Sequence, residues 1–204
     1  MQQAADNSSK RTTVLLAVGV GLLACIPFLP AVTAGFSQFD DPGIFSDVKG
    51  YQGLGGANLR WMFSTTQMGH YQPLTWLSYA IEYSLWGRDA AGPWGVNPVG
   101  LHLTNIALHG LNAALVFLVA LRLIAAAIEL ALPARALGAA AAALVFALHP
   151  LRVESVAWLT ERRDVLSTAF LLLALLAYLR AYPPGSTAPH SKKAALGSVL
   201  LLGL

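Results

Sequence analysis

Two groups of charged residues stand out in an otherwise apolar chain of 204 residues. The first is the adjacent pair Asp40 and Asp41, and the second is the segment 149–164, which reads HPLRVESVAWLTERRD. A carboxylate can take the proton from a hydroxyl group that attacks as a nucleophile. An arginine can hold a phosphate while negative charge develops on it. Together the two groups suit the transfer of a chemical group from a phosphate to a hydroxyl.

The carboxylates that could act as the base also have simpler interpretations. Asp41 precedes Pro42, and an Asp before Pro commonly begins a turn. Glu154 could pair with Arg152 only to orient the loop between them. Adjacent carboxylates could also bind a divalent metal, although two acids alone are a weak metal signal, so no cofactor is certain. The candidate catalytic residues are Asp41, Asp40 and Glu154.

Three arginines in the second group are the candidate phosphate ligands. Two of them, Arg162 and Arg163, could instead anchor the chain at lipid headgroups, with their aliphatic stems in the apolar layer. The whole segment 149–164 could also be an ordinary hydrophilic loop between two helices. The three candidates are Arg152, Arg162 and Arg163.

The composition places these residues in a membrane protein. The chain is 56% hydrophobic and 11% charged, with a mean hydropathy of +0.58, whereas a soluble domain carries about 25% charged residues. The single cysteine, Cys25, excludes an internal disulfide. The sequence pI of about 9.2 does not indicate nucleic acid, because the basic residues are scattered along membrane-facing loops.

The hydropathy pattern predicts an all-α polytopic transmembrane helix bundle. An outer loop at 37–101 is expected to carry an interfacial or re-entrant helix at 73–86, with a shorter companion at 58–67. The first apolar run also resembles a secretory signal with a cleavage site near 32–34. The last helix stops within an apolar run, as in the N-terminal part of a longer polytopic protein. The predicted helices are about 12–36, 102–124, 136–150, 164–182 and 194–204.

The charge distribution predicts which segments face the same side. With the N-terminus inside, the inner segments hold seven basic and two acidic residues, and the outer segments hold six basic and eight acidic residues. This asymmetry agrees with the positive-inside rule. All five tryptophans also fall in the outer segments, which is typical of an aromatic belt at one interface. The acid pair and Glu154 are therefore expected on one face of the membrane.

One stripe of polar residues follows the second predicted span. His102, Asn105, His109 and Asn112 recur at spacings that place them on one helix face. Polar side chains on such a stripe usually contact another membrane helix. The two histidines are seven residues apart, which fits a metal pair poorly, so packing is the preferred interpretation.

Five motifs in the chain resemble the membrane half of the transmembrane and tetratricopeptide-repeat proteins, a family of protein O-mannosyltransferases with bacterial relatives. The likeness covers about residues 36–182, and the last motif is the most specific. No helical repeat of about 34 residues is present in this chain, so the family's repeat domain is absent from it. The motifs are, in order, FDDP, NLRWMFSTT, YQPLTWLSYAIEYSLWG, HLTNIALHGLNAAL and HPLRVESVAWLTERRDVLS.

The resemblance implies a fold and a reaction. The family is similar to the polytopic glycosyltransferases with the GT-C fold, whose catalytic base is an acid in the first outer loop, here Asp40 or Asp41, with Asp41 preferred. The pattern His-Pro-x-x-x-Glu matches His149, Pro150 and Glu154, which adds His149 to the residues expected near the phosphate. The implied donor is a polyprenyl- or dolichyl-phosphate sugar, and the implied acceptor is a protein or glycan hydroxyl.

Two further expectations concern location and the rival function. A bacterial relative of this kind is expected in the inner membrane, with a cytoplasmic N-terminus and the site facing the periplasm. The alternative is a non-catalytic membrane scaffold or a piece of a transporter. A transporter is expected to place ionisable groups near the middle of its spans, and the predicted spans contain almost none.

Overall fold

The described part of the chain is entirely helical. The computed structural model describes residues 2–87, 93–183 and 190–203, and within these ranges it contains α-helices with short 3₁₀ and π turns and no strand. The predicted all-α class is confirmed. The α-helices are α1 (Gln2–Cys25), α2 (Gly56–Met62), α3 (Pro73–Glu82), α4 (Pro98–Ala127), α5 (Leu132–Ala147), α6 (Arg152–Ala157), α7 (Arg162–Ala181) and α8 (Lys192–Leu202).

Three helical stretches in the described ranges are long and apolar enough to cross a membrane. They are Asn7–Thr33, Pro98–Ala127 and Leu159–Ala181. The chain is thus an integral membrane protein. The helix α5 is shorter, since its 16 residues extend about 24 Å, whereas the hydrocarbon layer is about 30 Å thick.

Prolines and short turns set the ends of the long helices. The first α-helix ends at Cys25 and continues as a 3₁₀ turn over Ile26–Thr33, which contains Pro30. Proline lacks the N–H that the α-helical ladder needs, so the α-helix cannot extend through this stretch. At the other end of the first outer loop, α4 starts at Pro98, a residue that suits the first turn of a helix.

The chain divides into two compact units. The first takes its described residues from the ranges Met1–Pro27, Ala107–Arg152 and Ser167–Leu204. The second takes them from Phe28–Ile106 and Val153–Leu166. The second unit therefore combines the long segment between α1 and α4 with the segment that begins at Val153. The sequence places the candidate acids in these two segments.

The first unit is built on small residues. A core of alanines from α1, α4 and α5 is joined by Phe117 and Leu121. Gly21 of α1 meets Gly110 of α4 so closely that a methyl group at either position would contact the other's carbonyl oxygen. Close backbone approach increases van der Waals contact, which is the main attraction between helices in lipid.

The second unit is built on aromatic residues. Trp76 of α3 stacks on Tyr51 with ring centroids 6.0 Å apart and meets the edge of Trp61 at 5.1 Å. Tyr79 packs edge-on against Phe45 at 5.1 Å. Trp76 is fully buried, and its large apolar surface forms part of the core of this unit.

Gly21→Ala is expected to destabilise the contact between α1 and α4. The added Cβ would lie 2.7 Å from the carbonyl oxygen of Gly110, a backbone atom that cannot rotate away. Overpacking of this kind costs about 1–3 kcal/mol. The measurement is the thermal unfolding midpoint of the protein in detergent.

Gly19→Ala is the matched control in the same helix. No heavy atom lies within 4 Å of a Cβ built at Gly19. Alanine is a better helix former than glycine by about 1 kcal/mol, so this variant should keep or raise the midpoint. Equal losses at both positions would contradict the close-contact interpretation.

Candidate active site

A cavity of about 330 Å³ in the second unit brings two of the predicted acids together. Asp41 lines it from the segment between α1 and α4, and Glu154 lines it from α6. The remaining lining residues come from the same two stretches of chain, and the largest of them are Phe36 and Trp158. Residues that are far apart in the sequence therefore share one concave surface, which is the usual form of a small-molecule or substrate site.

Asp41 is held firmly at this cavity. Its side chain is only 1% exposed. The backbone N–H of Ser37 donates to Oδ2 at 2.6 Å, and the hydroxyl of Thr160 donates to Oδ1 at 2.6 Å. A buried carboxylate needs such donors to offset the loss of water. The two donors fix the orientation of the carboxylate and leave its other lone pairs for a ligand.

The acid pair also begins a turn, as its simpler interpretation predicts. The residues Pro42–Ser46 form a single π turn, and the N–H of Ile44 donates to the carbonyl of Asp40 at 3.2 Å. Asp40 is half-buried and does not line the cavity, whereas Asp41 does. Of the two adjacent acids, therefore, only Asp41 lines the shared surface.

Glu154 lies at the exposed side of the same cavity. It belongs to the six-residue helix α6, and the N–H of Trp158 donates to the carbonyl of Glu154 at 3.2 Å. This bond closes the last turn of α6, and Trp158, whose backbone is extended, lines the same cavity as Glu154. The last acid of the segment 149–164, Asp164, accepts a bond from the hydroxyl of Ser155 at 3.2 Å.

Arg162 is fully buried beside the site and forms an ion pair with Glu82 of α3. Its Nη1 donates to Glu82 Oε1 at 2.7 Å, and its Nη2 donates to Oε2 at 3.3 Å and to the carbonyl of Leu101 at 2.8 Å. Its Nε donates to Asn105, and its guanidinium lies over the ring of Tyr79 at 5.1 Å. Every nitrogen of the guanidinium is thus occupied by this chain's own groups.

The residues around Arg162 also fix the chain that carries Thr160. The hydroxyl of Tyr79 donates to the carbonyl of Leu159 at 2.8 Å, and the side-chain amide of Asn105 donates to the carbonyls of Val156 and Trp158. Burial raises the pKa of Tyr79, so the phenol stays protonated and remains a donor. The predicted packing role of Asn105 is confirmed by these bonds.

The other candidate phosphate ligands lie in different surroundings. Arg163 is partly exposed and pairs with Glu161 at 2.7 Å. In the first unit, Arg152 is half-buried with its guanidinium 5.1 Å from the ring of Phe146. His149 is exposed, and its Nδ1 accepts the N–H of Leu151 at 3.3 Å.

Both histidines of the predicted polar stripe on α4 lie beside backbone carbonyl oxygens. Within the second unit, His102 Nε2 lies 2.9 Å from the carbonyl oxygen of Gly35. Within the first unit, His109 Nε2 lies 3.0 Å from the carbonyl oxygen of Ala147. Across the residues that the structure describes, no three His, Cys, Asp or Glu side chains form a group that could hold a metal ion.

Comparison with known proteins gives relatives of one kind. The chain is 37% identical over 171 residues to Protein O-mannosyl-transferase Tmtc1 of Drosophila melanogaster, which is 79% of this chain and 18% of that protein. It is 37% identical over 125 residues to human Protein O-mannosyl-transferase TMTC4, or 58% of this chain and 16% of that protein. It is 34% identical over 134 residues to Tmtc2 of the fly, or 66% and 13%.

The chain belongs to the transmembrane and tetratricopeptide-repeat protein O-mannosyltransferase family. The resemblance that the five motifs indicate is therefore confirmed. The chain spans less than a fifth of the length of these curated relatives. No protein-family model matches it, and no solved structure matches it.

Several residues at this site of the O-mannosyltransferase relative are not predicted by the sequence. Ser37 and Thr160, which hold Asp41, carry no signal in their spacing. Glu82 carried one, because a lone acid in an apolar helix needs a partner if it is buried. Only 4% of Glu82 is exposed, and its partner is Arg162.

Arg162→Met is expected to destabilise the second unit strongly. It would leave Glu82 buried without its partner, a change that costs about 3–5 kcal/mol for a buried ion pair. The measurement is the free energy of unfolding in detergent, followed by tryptophan fluorescence, because Trp61 and Trp76 belong to the same unit.

Arg163→Gln is the matched control at the neighbouring position. Arg163 also makes one ion pair, but 33% of its side chain is exposed, and pairs of that kind contribute about 0–1 kcal/mol. A loss at Arg163 as large as that at Arg162 would show that burial does not decide the difference.

Proposed function

We propose that this chain forms the part of a membrane glycosyltransferase that carries its catalytic base. The enzyme transfers a hexose, with mannose as the sugar favoured by the names of the relatives, from a polyprenyl-phosphate donor to a hydroxyl of a protein or another acceptor. The helices then form the N-terminal part of a GT-C-type membrane domain. The observation that carries this proposal is the cavity shared by Asp41 and Glu154.

The proposed reaction is a direct displacement. Asp41 takes the proton of the acceptor hydroxyl, and the acceptor oxygen forms a bond to the anomeric carbon of the sugar. The bond between that carbon and the phosphate oxygen breaks, and the lipid phosphate leaves with the electron pair. The protonated Asp41 then returns its proton to water. The bonds from Ser37 and Thr160 support this role, because they hold the carboxylate where the hydroxyl must bind.

The charges of the described site bear on where the donor phosphate binds. The segments that line the cavity, 34–41 and 153–158, contain no Lys, Arg or His, so a phosphate would be repelled from them. All three guanidinium nitrogens of Arg162 already donate to groups of this chain, so Arg162 suits a positioning role better than phosphate binding. Arg163, which belongs to the same unit as Asp41 and is partly exposed, is accordingly the proposed phosphate ligand of this unit; Arg152 and His149 remain candidates within the first unit.

Asp41→Asn is expected to abolish transfer without unfolding the protein. An amide has nearly the same shape but cannot accept the proton, and a general base contributes about 10²–10⁴-fold to rate. The measurement is sugar transfer by the purified full-length protein from a polyprenyl-phosphate mannose donor, with size-exclusion profiles as the check on folding.

Two further variants separate Asp41 from its surroundings. Asp40→Asn removes the adjacent acid, which does not line the cavity, and should retain most of the activity. Thr160→Val removes one donor to Asp41, and a bond to a charged group contributes about 1.5–3 kcal/mol, so kcat should fall about tenfold or more. Full activity of Asp41→Asn would remove this residue from the mechanism.

The proposed orientation places the cavity outside the cytoplasm, with the N-terminus inside. In a variant with Cys25→Ala, single cysteines at Asp40 and Glu154 should both react with an impermeant maleimide added to intact bacterial cells. Both positions have solvent-accessible surface, so access to the reagent depends on the side of the membrane.

A cysteine at Glu129 is the control for that experiment. Glu129 is exposed in the link between α4 and α5 and should react only after the membrane is permeabilised. Labelling of Asp40 and Glu154 from opposite sides would contradict the shared site.

A further inference from the structure

The cavity at Asp41 has a charge of one sign. Asp41 and Glu154 line it, and Asp40 lies in the same short segment as Asp41. In the neighbouring turn, the positive charge of Arg163 is balanced by the carboxylate of Glu161. Charges of one sign in a cleft raise the local concentration of opposite charges and exclude like ones. The field at this cavity therefore favours a cation and opposes an anion.

Glu154 and Trp158 form a pair that suits a basic side chain. Glu154 belongs to α6 and Trp158 follows its last residue, and both line the cavity. Phe39 meets the ring of Trp158 edge-on at 6.3 Å, which helps to fix its orientation. Aromatic faces attract ammonium and guanidinium groups, and a carboxylate on the same face adds a direct ionic partner.

One cavity presents all three of the groups that such a ligand would use. Asp41, Glu154 and Trp158 line it together, so a hydroxyl at Asp41 and a basic side chain against Glu154 and Trp158 would lie close to each other. A polypeptide carries a hydroxyl and a basic group on neighbouring residues, so the groups that line the cavity match a peptide segment.

We infer that this cavity selects its acceptor by charge: it binds a hydroxyl-bearing polypeptide segment with a Lys or Arg beside the accepting residue and discriminates against acidic segments. Glu154 and Trp158 are the specificity-determining residues, and Asp41 is the base. This inference rests on the proposed function for the identity of the reaction, but the charge selection itself can be measured by binding alone.

The test uses three peptides that differ only at the residues flanking one Thr, which are Lys, Gln or Glu. With the full-length protein, the wild type should prefer the Lys peptide over the Glu peptide by about tenfold in kcat/KM, since a partly exposed charge pair contributes a few tenths to about 1 kcal/mol and two carboxylates act together. The preference should appear mainly in KM and weaken at high salt. Fluorescence anisotropy of labelled peptides gives the same ratio without turnover.

Substitutions in the cavity should change the ratio of kcat/KM for the Lys peptide to that for the Glu peptide by different amounts. Glu154→Gln should reduce the preference for the Lys peptide about threefold, and Glu154→Lys should invert it. Trp158→Leu, which keeps both carboxylates, should also lower affinity for the Lys peptide about threefold. The matched control is Asp47→Asn, because Asp47 is an exposed acid of the same unit that does not line the cavity; the ratio should not change.

The outcomes separate the two proposals. If peptides are transferred but Glu154→Lys leaves the ratio unchanged, the charge selection is wrong and the proposed function stands. If no peptide is transferred but anisotropy shows the inversion, the selection stands and the proposed transfer reaction is wrong. A ratio that changes equally in Asp47→Asn would overturn the selection, because it would reflect the general charge of the surface.

Discussion

The pairing of Arg162 with Glu82 is the interaction on which the second unit depends. Neither charge could remain in the interior alone, because the cost of removing an ion from water amounts to several kcal/mol. The guanidinium is bound bidentately by one carboxylate and also by the carbonyl of Leu101 and by Asn105. The network connects α3, the start of α4 and the start of α7, so these three helix ends have a defined arrangement within the unit.

This arrangement positions the candidate base indirectly. Thr160 lies two residues before Arg162 in the sequence, and its neighbour Leu159 is held by the hydroxyl of Tyr79. The hydroxyl of Thr160 therefore reaches Asp41 from a rigid support rather than from a mobile loop. A site placed on such a support keeps its geometry between turnovers, which is the requirement for catalysis by orientation.

The sequence predicts the helical class, the membrane location and the family because these depend on composition and on long motifs. The charge asymmetry also predicts that Asp41 and Glu154 lie on one side of the membrane. The structure places both residues at one cavity. The sequence does not predict the partners of Arg162, since Ser78 and Glu82 belong to α3 and Asn105 to α4, and their pairing with α7 depends on tertiary packing. For the same reason, the buried position of Trp76 could not be distinguished from an interfacial one by composition alone.

The alanine face of α5 has a consequence for how the first unit forms in lipid. Ala139, Ala143 and Ala147 recur every four residues and are fully buried, whereas Leu137 and Val145 are 74% and 71% exposed. An alanine methyl has no rotamers to lose, so ordering this face carries no side-chain entropy cost. The larger side chains keep their conformational freedom among the acyl chains. The alanine face of α5 therefore contributes to association through surface shape and without the immobilisation of a flexible group.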